Sequence, residues 1–136
     1  QTDYERELLE RADSLDNVQL IGRVAYSEIS LYYKRCFMLC STSPYEGFPN
    51  VYLEAWQMGI PVLAAYDPDG VIAARGLGWI CSSVEEMASV LSDIEEDAGP
   101  WEQASKKTKK QYLSSHTLQT NMPVFESYIT KALEPV

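Results

Sequence analysis

Apolar positions along the chain follow two patterns, one typical of helices and the other of buried strands. Residues 4–13 carry Leu8, Leu9 and Ala12 at helical spacing, so these side chains are expected to face inward. Residues 36–40 form a short continuous apolar run, which predicts a strand buried on both faces. The patterns predict helices over residues 4–13, 27–34, 49–58, 84–97, 101–114 and 118–133, and strands over residues 18–21, 36–40, 61–66 and part of 76–81.

Residues with special backbone chemistry set the predicted boundaries. Pro49 suits the first position of a helix, and Gly59 suits the position just past its end. Ser27 and Ser83 are expected to cap helices. Residues 67–70, Asp-Pro-Asp-Gly, predict a turn, and residues 99–100, Gly-Pro, predict a break between helices.

Strands that alternate with helices predict an α/β fold, a parallel sheet with helices on both faces. We expect strand 36–40 at its centre and helix 49–58 packed on it. Ligands of such sheets bind at the carboxyl ends of the strands, so the loop over residues 41–48 is the first candidate for a site.

Size and charge restrict the class of protein. The chain has 136 residues, enough for one domain, and a net charge of −9, which disfavours binding to nucleic acid. An anionic ligand stays compatible with that charge, because backbone amides can hold phosphate. No apolar run approaches the roughly 18 residues of a membrane span, and the polar first residues do not resemble a signal peptide.

Cysteine and histidine content points to a cytoplasmic protein without a metal. Cys36, Cys40 and Cys81 lie in apolar surroundings and are expected to be reduced, buried thiols. A zinc site is disfavoured because His116 is the one histidine and the cysteines lack paired spacing.

Two glutamates bracket the start of helix 49–58. Glu46 precedes the helix, and Glu54 lies inside it, on a narrow polar stripe with Asn50 and Gln57. The rest of the helix is largely apolar, so it should be mostly buried and the Glu54 carboxylate should need partners. Spacing by itself favours a simpler interpretation, in which the stripe is the wet edge of an amphipathic helix and Glu46 is an ordinary loop residue.

The surrounding residues resemble a known signature. Residues 43–55, SPYEGFPNVYLEA, resemble the Glu-x7-Glu motif of glycosyltransferase family 4, the group 1 glycosyltransferases. Residues 59–62, Gly-Ile-Pro-Val, resemble the Gly-x-Pro-Val of that family, and residues 18–22 and 70–78 resemble its base-binding strand and its glycine-rich turn. The resemblance covers most of residues 1–100.

This resemblance implies the C-terminal, Rossmann-like domain of a two-domain GT-B enzyme that retains the anomeric configuration. It implies that Glu54 binds the ribose hydroxyls of a nucleoside diphosphate sugar and that Glu46 acts as the catalytic glutamate, in contact with the donor sugar. Arg23 and Val24 would lie near the nucleobase, although an ordinary loop arginine explains Arg23 equally well. The sugar and diphosphate would face the backbone of Gly47, Phe48, Pro49, Asn50 and Val51.

The chemistry of these groups agrees with those roles. An ionised carboxylate accepts two hydrogen bonds from a vicinal diol, and a helix N-terminus stabilises a diphosphate. Gly47 lets the backbone approach a ligand closely. Neither a metal nor another cofactor is then required.

The chain also departs from the family pattern. The donor domain of the family opens with two further strands and an Arg and Lys pair that grips phosphate, and an N-terminal domain binds the acceptor. We therefore expect residues 1–136 to be a donor domain that lacks its first strands, ends in C-terminal helices over residues 101–136 and does not transfer sugar by itself. A glycan or lipid acceptor, and any membrane association, would involve the full-length protein.

Two alternatives to the transferase stay open. The chain could be a binding module that holds nucleotide sugars without catalysis, or part of a GT-B epimerase acting on nucleotide sugars, although the EGFPN context favours a transferase. Separately, Lys106, Lys107, Lys109 and Lys110 form a basic cluster that is either a solvated helix face or a contact for an acidic membrane.

Overall fold

The computed structural model describes residues 2–133. Residues 134–136 of the predicted C-terminal helices, and residue 1 of the predicted donor domain, lie outside the described residues. The chain divides into two compact units, Gln1–Tyr32 and Tyr33–Val136. In chain order the elements are α1 (Asp3–Asp13), α2 (Tyr26–Tyr33), β1 (Leu39–Ser41), α3 (Asn50–Gln57), β2 (Val62–Ala64), a 3₁₀ turn (Pro68–Gly70), α4 (Val71–Arg75), β3 (Gly78–Ile80), α5 (Val84–Glu96), α6 (Gly99–Ser115) and α7 (Leu118–Leu133).

The first unit contains the predicted helix, but the side chains predicted to be buried on it are not buried. Thr2 and Glu5 make a reciprocal capping box at the start of α1, with hydrogen bonds of 3.2 and 2.8 Å. None of the residues of α1 is buried, and Leu8 and Leu9 are exposed, so the prediction that they face inward is wrong. Their helical spacing produces an apolar stripe, but burial needs a second layer packed over that stripe.

Residues 18–27 correct two further predictions. Residues 18–21 form no strand, because none of the strands within residues 2–133 pairs with them and a strand exists only through that pairing. Ser27 does not cap α2, because the helix already begins at Tyr26.

The second unit contains the predicted parallel sheet. Its strand order within the described residues is β1-β2-β3, with Leu39 opposite Val62 and Val62 opposite Gly78. The central strand is β2 and not the segment 36–40, and β1 begins only at Leu39. Cys36 and Cys40 are exposed whereas Cys81 is buried, so the prediction of three buried thiols holds only for Cys81. Cys40 lies on β1, which has one neighbouring strand, whereas Cys81 packs in the core against Leu63 and Met87.

Helices cover both faces of the sheet, as expected for a Rossmann-like fold. Alternate residues of a strand point to opposite faces, and β2 is buried along its whole length. On one face Val62 and Ala64 pack against Tyr52 and Trp56 of α3. Ile72 of α4 and Leu77 complete this side of the core. On the other face Leu63 packs with Cys81 and with Met87 of α5. Each fully buried apolar side chain of this kind stabilises the fold by about 1.5–3 kcal/mol.

Two glycines permit close local geometry around β2. Gly59, with φ of 77°, follows the end of α3, where Gly59 N–H donates to Trp56 O and Ile60 N–H donates to Ala55 O at 3.0 and 2.9 Å. At Gly78, with φ of 156°, a Cβ atom would lie 1.8 Å from the carbonyl oxygen of Val62. Glycine is therefore required where β3 pairs with β2.

The remaining helices follow the predictions with small corrections. Ser83 caps α5 as predicted, and its hydroxyl accepts from Glu86 N–H at 3.2 Å. The turn at residues 67–70 leads directly into α4, a five-residue helix that the sequence pattern did not reveal. The predicted break between helices is present, because α5 ends at Glu96 and α6 begins at Gly99, so residues 99–100 already belong to the second helix. Pro123 lies inside α7. None of the helices described is long and apolar enough to cross a membrane.

Candidate functional site

The loop between β1 and α3 lies at the carboxyl edge of the sheet. It leaves β1 after Ser41 and enters α3 at Asn50, with Pro49 in extended conformation at the cap position. No side chain within residues 2–133 caps this helix, and its first turn contains no acidic residue. The partial positive charge of the helix N-terminus therefore stays available to an anion from outside the chain.

Glu46 lies in this loop and is exposed. Glu46 influences the neighbouring Tyr52, whose pKa lies above its ordinary value. Burial is the largest cause, and the negative charges of Glu46 and Asp67 add to it, whereas a hydrogen bond with Ser41 acts in the opposite direction. The Tyr52 hydroxyl also donates to the carbonyl oxygen of Tyr66 at 3.4 Å. A buried tyrosine hydroxyl and two carboxylates therefore gather where β1 and β2 end.

Glu54 has a different setting inside α3. Its side chain is half-buried, and its Oε2 atom accepts a hydrogen bond of 3.0 Å from the hydroxyl of Tyr33. Burial, and then this hydrogen bond and the charge of Glu54, raise the pKa of Tyr33 above its ordinary value. The hydroxyl therefore stays protonated at neutral pH and acts as a donor to the carboxylate.

Asp67 organises the neighbouring loop after β2. Its Oδ1 and Oδ2 atoms accept hydrogen bonds of 2.8 and 2.9 Å from the backbone N–H groups of Ile72 and Ala73, at the start of α4. Asp69 between them has a left-handed backbone, with φ of 55°. The edge of the sheet is therefore bounded by one loop that carries Glu46 and by a second loop fixed through Asp67.

An aromatic cluster joins the Glu46 loop to the helices. Phe48 lies 5.9 Å from the ring of Trp56 in an edge-on arrangement, and both rings lie 5.9 Å from His116. Burial, and then the positive charge of Arg75, lower the pKa of His116, so its imidazole is neutral at pH 7. His116 lies at the C-terminal cap position of α6, and it also packs on Phe48 of the loop.

The predicted site residues fall into two groups. Glu46, Gly47, Phe48, Pro49 and the first residues of α3, Asn50 and Val51, form one continuous segment at the sheet edge, with Glu54 on the same helix. Arg23 and Val24 belong to the first unit, in the segment before α2, and their contact with a nucleobase stays a prediction.

Sequence reasoning missed three residues of this site. It required a partner for Glu54 but did not identify Tyr33, which lies 21 residues away along the chain. It also assigned no role to Tyr52, and it placed Asp67 in a turn without identifying its hydrogen bonds to the next helix. Of these, Asp67 left a signal in the sequence, since an aspartate before a Pro-Asp-Gly turn is a frequent acceptor for the N–H groups of the next helix.

Outside the sheet edge, the basic cluster is exposed and borders a groove. Lys106, Lys109 and Lys110 line it together with Met58 and Leu113. Lys109 donates to the carbonyl oxygen of Gln57 at 2.6 Å, and Lys106 lies 3.9 Å from Glu102. Within residues 2–133, no three His, Cys, Asp or Glu side chains come together in a way that could hold a metal ion.

Comparison with known proteins identifies the family. The model of the family described as glycosyl transferases group 1 matches residues 1–111. A protein of Xenopus tropicalis named "Glycosyltransferase 1 domain-containing protein 1" is 23% identical over 93% of the chain, and an "Uncharacterized glycosyltransferase" of Haemophilus influenzae is 28% identical over 76% of it. The chain spans 37% and 30% of the lengths of these two relatives. No solved structure gives a significant match. By the extent of the family match, the chain belongs to the group 1 glycosyl transferases.

Proposed function

We propose that the chain is the donor-binding part of a retaining glycosyltransferase, which transfers a sugar from a nucleoside diphosphate sugar to a glycan or lipid acceptor. Membership of the group 1 glycosyl transferases supports transfer of a glycosyl group. The observation that carries the donor-binding role is the placement of Glu46 and Glu54 around the N-terminus of α3, a helix end that no described side chain caps.

Each part of the donor has a chemically suitable counterpart in this proposal. The diphosphate lies against the backbone N–H groups from Gly47 to Val51, where the helix dipole stabilises the negative charge that grows as the diphosphate leaves. The carboxylate of Glu54 accepts hydrogen bonds from the ribose hydroxyls. Glu46 contacts hydroxyls of the sugar itself, so its contribution is largest while the bond from the anomeric carbon to the phosphate breaks and the bond to the acceptor oxygen forms. No metal takes part.

The two glutamates can be separated experimentally in the full-length protein. We expect Glu54→Gln to weaken binding of UDP or GDP roughly 10- to 150-fold, because hydrogen bonds to charged groups contribute about 1.5–3 kcal/mol. Glu46→Gln should lower turnover more than it lowers nucleotide affinity. Glu96→Gln, which removes an exposed carboxylate from α5, is the matched control and should change neither.

The assay combines titration calorimetry with transfer from a panel of nucleotide sugars to glycan and lipid acceptors. The configuration of the product at the anomeric carbon, determined by NMR, tests retention. Nucleotide-sugar binding without transfer would instead support the binding module, and conversion of the nucleotide sugar without an acceptor would support the epimerase. Unchanged affinity of Glu54→Gln for both UDP and GDP would remove the ribose role.

A further inference from the structure

The hydrogen bond between Tyr33 and Glu54 fixes a side chain that would otherwise rotate. A glutamate has three side-chain torsions, and on a half-buried helix face several of its rotamers remain accessible. The 3.0 Å bond from the Tyr33 hydroxyl to Oε2 favours one orientation of the carboxylate. Tyr33 itself is only 9% exposed, so its ring is held by packing and its hydroxyl is a fixed reference point.

The bond leaves enough acceptor capacity for a ligand. An ionised carboxylate has two oxygens with about four acceptor positions between them. Tyr33 uses one position, on Oε2, and three remain, which is sufficient for the two hydroxyls of a vicinal diol. The tyrosine therefore restricts the carboxylate without competing for its full capacity.

We propose that Tyr33 is a positioning residue, whose hydroxyl holds the Glu54 carboxylate in the orientation that receives both hydroxyls of the ribose. This inference rests on the proposed donor-binding function. Tyr33 does not touch the ligand in this proposal, and its effect passes entirely through Glu54. Pre-orientation of this kind increases affinity because the ligand no longer has to order the side chain on binding. The Tyr33 hydroxyl is suited to the task because its raised pKa keeps it a donor.

Deletion of the hydroxyl alone separates this role from packing. Tyr33→Phe keeps the buried ring, so the fold should persist, which thermal unfolding checks directly. A role in packing alone would change stability without regard to the ligand. A role through Glu54 makes the loss of affinity depend on the ribose hydroxyls, because those are the groups that Glu54 binds.

The experiment measures the affinity of the full-length protein for two ligands by calorimetry. One is the nucleoside diphosphate, UDP or GDP, that binds better, and the other is its 2′,3′-dideoxy analogue. We expect Tyr33→Phe to weaken the first about 3- to 10-fold, the factor of a typical hydrogen bond, and to leave the second unchanged. In transfer assays the change should appear in KM for the donor and not in kcat. Tyr26→Phe, on the same helix but at a residue that is 81% exposed, is the matched control and should behave like the wild type.

The outcomes distinguish this inference from the proposed function. If Glu54→Gln weakens binding and Tyr33→Phe does not, the positioning role is wrong while the donor site stands. An equal loss for both ligands, or tighter binding after Tyr33→Phe, also overturns the positioning role. If Glu54→Gln leaves the affinity for the diphosphate unchanged, the ribose role and the positioning role both fail.

Discussion

The loop half and the helix half of the Glu46–Glu54 segment are built very differently. In the loop, residues 44–48 are exposed, and the hydroxyl of Ser43 donates locally to Tyr45 O at 3.1 Å. In the helix, Tyr52 and Trp56 are fully buried and Glu54 is held by Tyr33. One glutamate is therefore held by a hydrogen bond within the fold, whereas the other lies on an exposed loop. In the proposed donor site, the glutamate assigned to the ribose is therefore held in place before a ligand binds, whereas the glutamate assigned to the sugar lies on an exposed loop.

The largest expected effect comes from a comparison of two aromatic residues in contact, Trp56 in the helix half and Phe48 in the loop half. Trp56→Ala should destabilise the protein by about 3–5 kcal/mol, because it empties a fully buried site beneath the sheet. Phe48→Ala, at a residue that is 41% exposed, should cost about 1 kcal/mol or less. Urea unfolding of both variants measures the difference, and equal losses would show that the loop is part of the core.

A smaller effect is expected from the second loop at the sheet edge, which Asp67 fixes. Asp67→Ala removes the acceptor of two backbone N–H groups at the start of α4 and should cost about 1–2 kcal/mol. Asp69→Gly is the matched control. It should be neutral or slightly stabilising, because glycine adopts the left-handed backbone of residue 69 without strain. Thermal unfolding distinguishes the two, and an unaffected Asp67→Ala variant would show that the two hydrogen bonds of Asp67 do not stabilise this loop.

The smallest expected effect is a pH dependence of stability at His116, whose ring contacts Phe48 of the loop half and Trp56 of the helix half. The pKa of His116 is lower in the folded chain than its ordinary value near 6.5, so the unfolded chain binds the proton more readily. The stability that depends on neutral His116 is therefore fully present above about pH 6.5 and decreases as the pH falls below that value. We expect the free energy of unfolding to decline more between pH 7 and pH 5.5 in the wild type than in His116→Phe. Parallel declines in both proteins would mean that other groups cause the pH dependence.

Local signals in the sequence predicted the helix half of the motif well. Pro49 and Gly59 set the ends of α3 to within one residue, because a helix start and a helix end depend on the backbone properties of the residues at those points. The predicted start of the helix at Pro49 likewise placed Glu46 in a loop and Glu54 in a helix. The resemblance to the group 1 glycosyltransferases, which the family match confirms, rested on the same contiguous residues.

Features that depend on distant partners were beyond the sequence. Burial of a strand is set by the number of its neighbours, so residues 36–40 and β2 could not be ranked from their apolar content. Residues 18–21 have a strand-like pattern, yet no described strand pairs with them. The contact of Tyr33 with Glu54 joins residues far apart in the chain, and no periodicity reports such a pair.

The most direct measurement is a crystal structure of the full-length protein with the nucleoside diphosphate that binds best, UDP or GDP. We expect the diphosphate within hydrogen-bond distance of the backbone N–H groups between Gly47 and Val51, and the ribose hydroxyls on the carboxylate of Glu54. A nucleotide bound elsewhere, for example in the groove lined by Lys106, Lys109 and Lys110, with the start of α3 empty, would contradict the proposed donor site.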